Sequence, residues 1–358
     1  HQLSDESLRC SYPTWSPNNA YIAYVATDNG EHSSIYANAT DGGERARLVS
    51  IDGYRTIYFN WSPDSRLLAL LYRNETSRWG QVVPLDAVKN AFSFEFKRNL
   101  FWQWSHNGKY ILWNRDGDVS VTAISSPSAH VDPEQRGSRF RAPAWTSSGE
   151  NFIFTDKQKG HVELVEFIGT SKDPKHVYST SAQCSIVVSP NYSQIAILDY
   201  RRGGFGILNI VIRDQEKELR LTRVRAVFWS PDSRYLALWT IRAFAPNNKS
   251  CLPVDRYTTL THATTQNPNT NHWWLYDTKT GSMQPLVSFM PTKACIDIAW
   301  DFSQYHTSHS FWSPDSRYFL VPSINPESNE PHVWKVDILG QEAALDLGEG
   351  TFATWSWQ

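Results

Sequence analysis

One ten-residue string, repeated along the chain, restricts the fold more than any other feature. Trp61-Ser62-Pro63-Asp64-Ser65-Arg66-Leu67-Leu68-Ala69-Leu70 returns as Trp229-Ser230-Pro231-Asp232-Ser233-Arg234-Tyr235-Leu236-Ala237-Leu238, and again from Trp312 to Leu320. Weaker copies begin at Trp15, Trp104, Trp145 and Val188, followed by a stub at Trp355-Ser356. The anchors are 46, 43, 41, 43, 41, 83 and 43 residues apart, so the one outlier is close to twice the others. A fixed period of this size marks a repeat architecture whose units cannot bury their faces alone and must stack.

Each unit can be read physically. The Trp ends one strand, and Ser-Pro-Asp-Ser/Gly supplies a type I turn, with Pro setting the second position and Asp or Asn the third. A β-rich run follows, then a third strand ending at an Asp-Gly or Gly turn, then a more polar fourth strand. Four short strands every 40-odd residues describe a propeller blade. Composition agrees: 16 Trp, 16 Tyr and 17 Phe against 2 Met favour strands over a helical bundle. No segment shows helical periodicity of useful length. Length alone, 358 residues, suggests two domains. The repeat replaces that with one all-β domain over 1–358, a seven-bladed propeller of four-stranded antiparallel blades, with Phe352–Trp355 as a strand involved in closure. Eight blades is the alternative.

The pattern W-S-P-D-S/G-R-Y-L-A with a later D-x-x-G resembles the WD-repeat-like propeller repeat of the TolB type, from about residue 8 to 357. The resemblance implies the fold and leaves function open, because propellers of this repeat serve as protein-binding modules and as scaffolds of some lyases and peptidases. The repeated Trp is expected to pack between blades, and Arg66, Arg234 and Arg317 to brace the turns.

The 83-residue interval holds two insertions, at about 243–271 and 289–308. Both leave an up-and-down blade at the same end, so they should lie side by side on one face. Long loops in a compact domain are usually functional. Cys251 in the first and Cys295 in the second are either a disulfide pair or two free thiols. Cys10 and Cys184 read as small buried residues on inner strands.

Net charge is -2, from 34 Lys+Arg and 36 Asp+Glu, which gives no basic field for nucleic acid. No apolar run approaches the length of a transmembrane helix. The sequence opens on His1-Gln-Leu-Ser-Asp with neither an initiator Met nor signal-peptide regions, which leaves room for an N-terminal signal or anchor ahead of it. The TolB-type resemblance, that start and the Cys251–Cys295 pair together lead us to expect a location outside the cytoplasm: periplasmic, secreted or surface-attached. The sequence has no nucleophile elbow, no H-E-x-x-H and no phosphate loop. Arg201, Arg202, Arg220, Arg223 and Arg225 read as a solvated basic face rather than an anion site.

The resulting expectation is a non-enzymatic binding or scaffold module without a cofactor, docking a protein, peptide or glycan on the face of blades 6 and 7. Tyr257, Trp300, Phe302, Tyr305 and His306 are the expected contacts, since exposed aromatics make hot spots. The alternative is a metal-dependent enzyme. Gln304, His306 and His309 resemble the metal-binding stretch of oligogalacturonate lyases, which would imply a divalent ion such as Mn. Here the histidines are three apart rather than two, and on a strand they would point to opposite faces.

Overall fold

The computed structural model describes residues 9–357 except 28–32, 43–44, 52–54, 86–91, 97–98, 126–129, 137–140, 148, 150, 159–160, 169–174, 181–183, 201–205, 213–214, 242–257 and 261–269. The chain groups into two compact units. One is His1–Ser181 with Thr307–His309 and Ser356–Gln358; the other is Ala182–His306 with Ser310–Trp355.

The first unit holds four antiparallel sheets in which successive strands pair in chain order. They are β1 (Arg9–Trp15), β2 (Tyr21–Thr27), β3 (Ser33–Ala39) and β4 (Arg45–Ile51); then β5 (Arg55–Trp61), β6 (Leu67–Arg73), β7 (Arg78–Pro84) and β8 (Phe92–Phe96). The third is β9 (Leu100–Trp104), β10 (Tyr110–Arg115), β11 (Asp118–Ala123) and β12 (His130–Arg136). The fourth is β13 (Ala144–Trp145), β14 (Asn151–Gln158), β15 (His161–Ile168) and β16 (Lys175–Thr180).

In the second unit two repeats merge into one eight-stranded sheet. Its strands are β17 (Cys184–Val188), β18 (Gln194–Tyr200), β19 (Gly206–Ile212), β20 (Gln215–Trp229), β21 (Tyr235–Thr240), β22 (Thr258–Thr259), β23 (Asn271–Asp277) and β24 (Met283–Phe289). The 15-residue β20 pairs with β19 along its first part and with β21 along its last, so it ends one repeat and opens the next. Two helices, α1 (Lys293–Trp300) and α2 (Phe302–Tyr305), precede a three-stranded sheet of β25 (Tyr318–Ile324), β26 (Pro331–Asp337) and β27 (Leu345–Glu349). The chain is therefore all-β in architecture, with small antiparallel sheets and one helical insertion.

The Ser-Pro-Asp turn forms as its residues dictate. The amides of Asn19, Ser65, Gly108, Tyr192, Ser233 and Ser316 each donate to the carbonyl of the turn's first Ser at 2.8–2.9 Å. Those six residues all have φ between 58° and 68°, the left-handed bulge that follows a type I turn in a three-residue hairpin loop. The first Ser hydroxyl donates to the Asp or Asn and accepts the amide that re-enters the next strand, as in Ser62 with Asp64 and Leu67. Turns also interlock. Asn18 N–H donates to Ser65 Oγ, Asn191 N–H to Ser233 Oγ and Asp232 N–H to Ser316 Oγ, each at 3.0 Å.

The anchor tryptophans tie successive repeats. In the first unit Trp61 Nε1 donates to the carbonyl of Thr14 and Trp145 Nε1 to that of Gln103, both at 3.2 Å. In the second, Trp229 reaches Val187, Trp312 reaches Phe228 and Trp355 reaches Phe311, at 3.0–3.2 Å. Every acceptor is the residue just before the preceding anchor. Anchor rings also stack on the Tyr that follows the preceding turn: Tyr21 with Trp61, Tyr235 with Trp312, Tyr318 with Trp355.

Several expectations change. Phe352–Trp355 forms no strand, although Trp355 keeps the anchor's indole bond and stacking. The second insertion is helical where no helix was expected. Arg66 braces its own turn through Asp64 at 2.8 Å, but Arg234 and Arg317 reach Asp277 and Asp337 at the ends of β23 and β26. The reason is reach across the sheet: the third strand returns its Asp beside the second strand's start. Burial pushes the Asp337 carboxyl up, yet bonds from Arg317 and the amides of Leu339, Gln341 and Glu342 outweigh it and hold the group below its usual range. Cys184 is buried, whereas Cys10 is exposed on β1.

Candidate functional site

The second insertion is the chain's main departure from strand-and-turn regularity. Residues leaving β24 are clipped to β25: Met290 N–H donates to Ser323 Oγ at 3.1 Å, and Ile324 N–H to the Met290 carbonyl at 2.8 Å. Thr292 then caps α1, accepting from Cys295 N–H at 3.2 Å while its hydroxyl donates to the Thr351 carbonyl at 2.6 Å. Cys295, Ile298 and Ala299 form the buried face of α1, and Phe302 continues it. Positions i, i+3, i+4 and i+7 are a helical signal legible in the sequence but spread over only two turns.

The expected contact residues separate sharply. Trp300, last on α1, is 72% exposed. Phe302 is fully buried with its ring 6.3 Å from that of Phe228, and Tyr305 is also buried, so both serve the core under the helices rather than an accessible surface. Tyr257 lies outside the described residues, as do Cys251, Arg201 and Arg202. Of the first insertion the structure describes 258–260 and the residues from 270 on. Thr258–Thr259 forms β22, which pairs parallel with Val287–Ser288 of β24. Leu260 N–H follows with a bond to the Ser288 carbonyl at 2.9 Å. The first insertion thus returns beside the residues that lead into the second.

His306 is half-buried. Its Nδ1 lies 3.0 Å from the Ser303 carbonyl, an acceptor only, so Nδ1 carries the proton and Nε2 keeps its lone pair. Burial, against weaker support from that carbonyl and the Phe302 carbonyl, pulls its pKa from 6.5 to about 4. The ring lines a cavity of about 60 Å³ walled by Phe228, Trp229, Trp312 and Val188, with Ser310 as the other polar member. A space this size takes a water or two, or the tip of a side chain. His309 is buried in the first unit, its Nδ1 2.7 Å from Ser308 Oγ, and burial pulls its pKa to about 3. Ser308 is held there by Thr14 and Tyr58, whose hydroxyls meet its carbonyl and its Oγ at 3.0 Å.

Gln304 is buried in the second unit with His306. No group of three or more His, Cys, Asp or Glu side chains that could hold a metal ion occurs among the described residues. Cys295 is a free thiol, fully buried, and burial drives its pKa well above the usual range. No helix among the described residues is long and apolar enough to cross a membrane.

Arg225, read from the sequence as part of a solvated basic face, is half-buried. It sits where the β20–β21 register slips between Val224 and Ala226, and its guanidinium lies 5.5 Å from the Trp239 ring. Neighbouring Arg223 is exposed with φ 66°. Nothing local in the sequence separates the two arginines; only the bulge does.

No family model matches the sequence, and no curated protein matches it. Among solved structures the chain is similar to one from a structural and mechanistic analysis of two prolyl endopeptidases, with 11% identity and TM-score 0.61 over 96% of this chain and 50% of that one. It is similar to an oligogalacturonate lyase in complex with manganese, with 10% identity and TM-score 0.57 over 94% and 92%. It is also similar to the C-terminal WD40 domain of Sif2, with 11% identity and TM-score 0.55 over 97% and 88%. A peptidase, a lyase and a WD40 domain share this shape, so the likeness selects no activity. What it does show is fold: the chain has a β-propeller-like fold.

Proposed function

We propose that this chain is a non-enzymatic binding or scaffold module that docks a protein, peptide or glycan at the helical insertion. One observation carries the reading. In a chain whose anchor tryptophans are spent on tying repeats together, Trp300 stands 72% exposed at the end of a capped helix. An exposed indole on a rigid element is the usual centre of a binding hot spot. The propeller-like fold that carries it supports a platform role. The TolB-type character of the repeat and a location outside the cytoplasm belong to the same reading and rest on the W-S-P-D-S-R motif. The lyase alternative would need a cation held by several ligands, and no observation favours it over docking.

The test compares wild type with Trp300→Ser in affinity purification from native extract, alongside far-UV dichroism and thermal unfolding. Loss of the retained molecule with fold and melting temperature unchanged is the expected result. Identical retention by both proteins overturns the reading.

A further inference from the structure

We propose that Arg225 is the centre of an anion-binding subsite that takes the carboxylate of a bound ligand. The argument starts from what the guanidinium lacks. Arginine carries five donors and stays charged, so a half-buried one normally meets a carboxylate or several carbonyls. Among the described residues Arg225 has neither an ion pair nor a hydrogen bond; its contact is the face of Trp239 at 5.5 Å. The titratable groups that act on it electrostatically among the described residues are the Cys295 thiol on α1, which burial keeps protonated, and the Tyr200 phenol at the end of β18. Burial lowers the affinity of Arg225 for its own proton and outweighs the opposing influence of Cys295 and Tyr200.

The backbone points the same way. Val224 pairs with Thr240 and Ala226 with Trp239, which leaves Arg225 as the extra residue of a bulge. Bulges re-aim a side chain and are over-represented beside active sites. This one lifts Arg225 out of the ladder and onto the indole, with α1 packed against the same strand. The Trp239 ring holds the guanidinium carbon at 5.5 Å, and a planar guanidinium presents the forked donors that suit a bidentate carboxylate. Charge count favours a monoanion. One guanidinium is balanced by one negative charge, whereas a dianionic phosphate would leave an excess charge in a half-buried place.

The proposal is independent of the role given to Trp300. Its test is thermal unfolding and intrinsic tryptophan fluorescence of the full chain at pH 7.5 and constant ionic strength. The titrants are acetate and N-acetylglycine, with N-acetylglycinamide as the uncharged control, chloride as the salt control and inorganic phosphate as the competing anion. The expected result is a saturable upward shift of a few degrees with the two carboxylates, none with the amide or chloride, and a smaller one with phosphate. Arg225→Met should abolish that shift while leaving the ligand-free melting temperature equal to or above wild type, because an unpartnered cation has been removed. Arg223→Gln should keep the response. A wild type that ignores the carboxylates, an Arg225→Met protein that still responds, or a larger response to phosphate overturns the assignment. Should Arg225→Met fail to fold, Arg225→Lys serves: it keeps the charge, loses the fork and should weaken the response at least tenfold.

Discussion

A serine in the left-handed region is a poor local choice, because a non-glycine residue there costs roughly 1–2 kcal/mol. Ser65, Ser233 and Ser316 nevertheless occupy it, and each hydroxyl accepts an amide from another repeat's turn. Glycine fills the same turn position and conformation at Gly108, with φ 68°, where no side chain can make such a bond. Serine here trades backbone strain for a tie between repeats. Ser233→Ala, which keeps the strain and loses the tie, should destabilise by about 1–2 kcal/mol. Ser233→Gly relieves the strain and should come within about 0.5 kcal/mol of wild type. Urea unfolding of both variants measures the difference; equal losses would remove the role assigned to φ.

At the scale of elements, legibility followed locality. The Ser-Pro-Asp turn and the strands it joins were readable because their bonds close within five residues. The tryptophans were readable as scaffold because one period repeats them. Helix α1 was hidden by its brevity: Thr292, Cys295, Ile298, Ala299 and Phe302 carry cap and stripe, but Pro291 and the aromatics around them mask a two-turn signal. Burial of Phe302 and Tyr305 was hidden for a further reason, since the strands they cover lie 70 to 120 residues away in sequence. The isolation of Arg225 depends on a register slip that no pattern announces. The cap itself can be tested. Thr292→Ala removes both the bond from Cys295 N–H and the one to Thr351, and should cost about 1–2 kcal/mol in urea unfolding, with Thr292→Ser recovering most of it.

For the molecule as a whole, buried neutral histidines set the acid limit. Burial pulls His272 and His306 to about 4 and His309 to about 3, from 6.5. Between those values the unfolded chain binds protons that the folded chain refuses, so stability rises with pH across that window. Their contribution is complete above about pH 6.5 and disappears as pH falls through 4 towards 3. Asp277 and Asp337, held below 3.8 by Arg234 and Arg317 among other partners, keep their contribution until lower pH still. Melting temperature should therefore be level from pH 7 to 8 and decline from about 6.5 downward. His309→Gln should flatten the decline; an unchanged slope in that variant would show that other groups set it.

The long strand β20 has a meaning for how this chain can vary. Elsewhere one repeat hands over to the next through a connection that can lengthen without disturbing a ladder, and after β24 it has lengthened into an insertion. Across Gln215–Trp229 the handover is itself a paired strand, with β19 on one part and β21 on the other. An added residue there would shift the facing of every side chain beyond it. The junction is closed to insertion, and the neighbouring repeats it welds should exchange their amide hydrogens as one block.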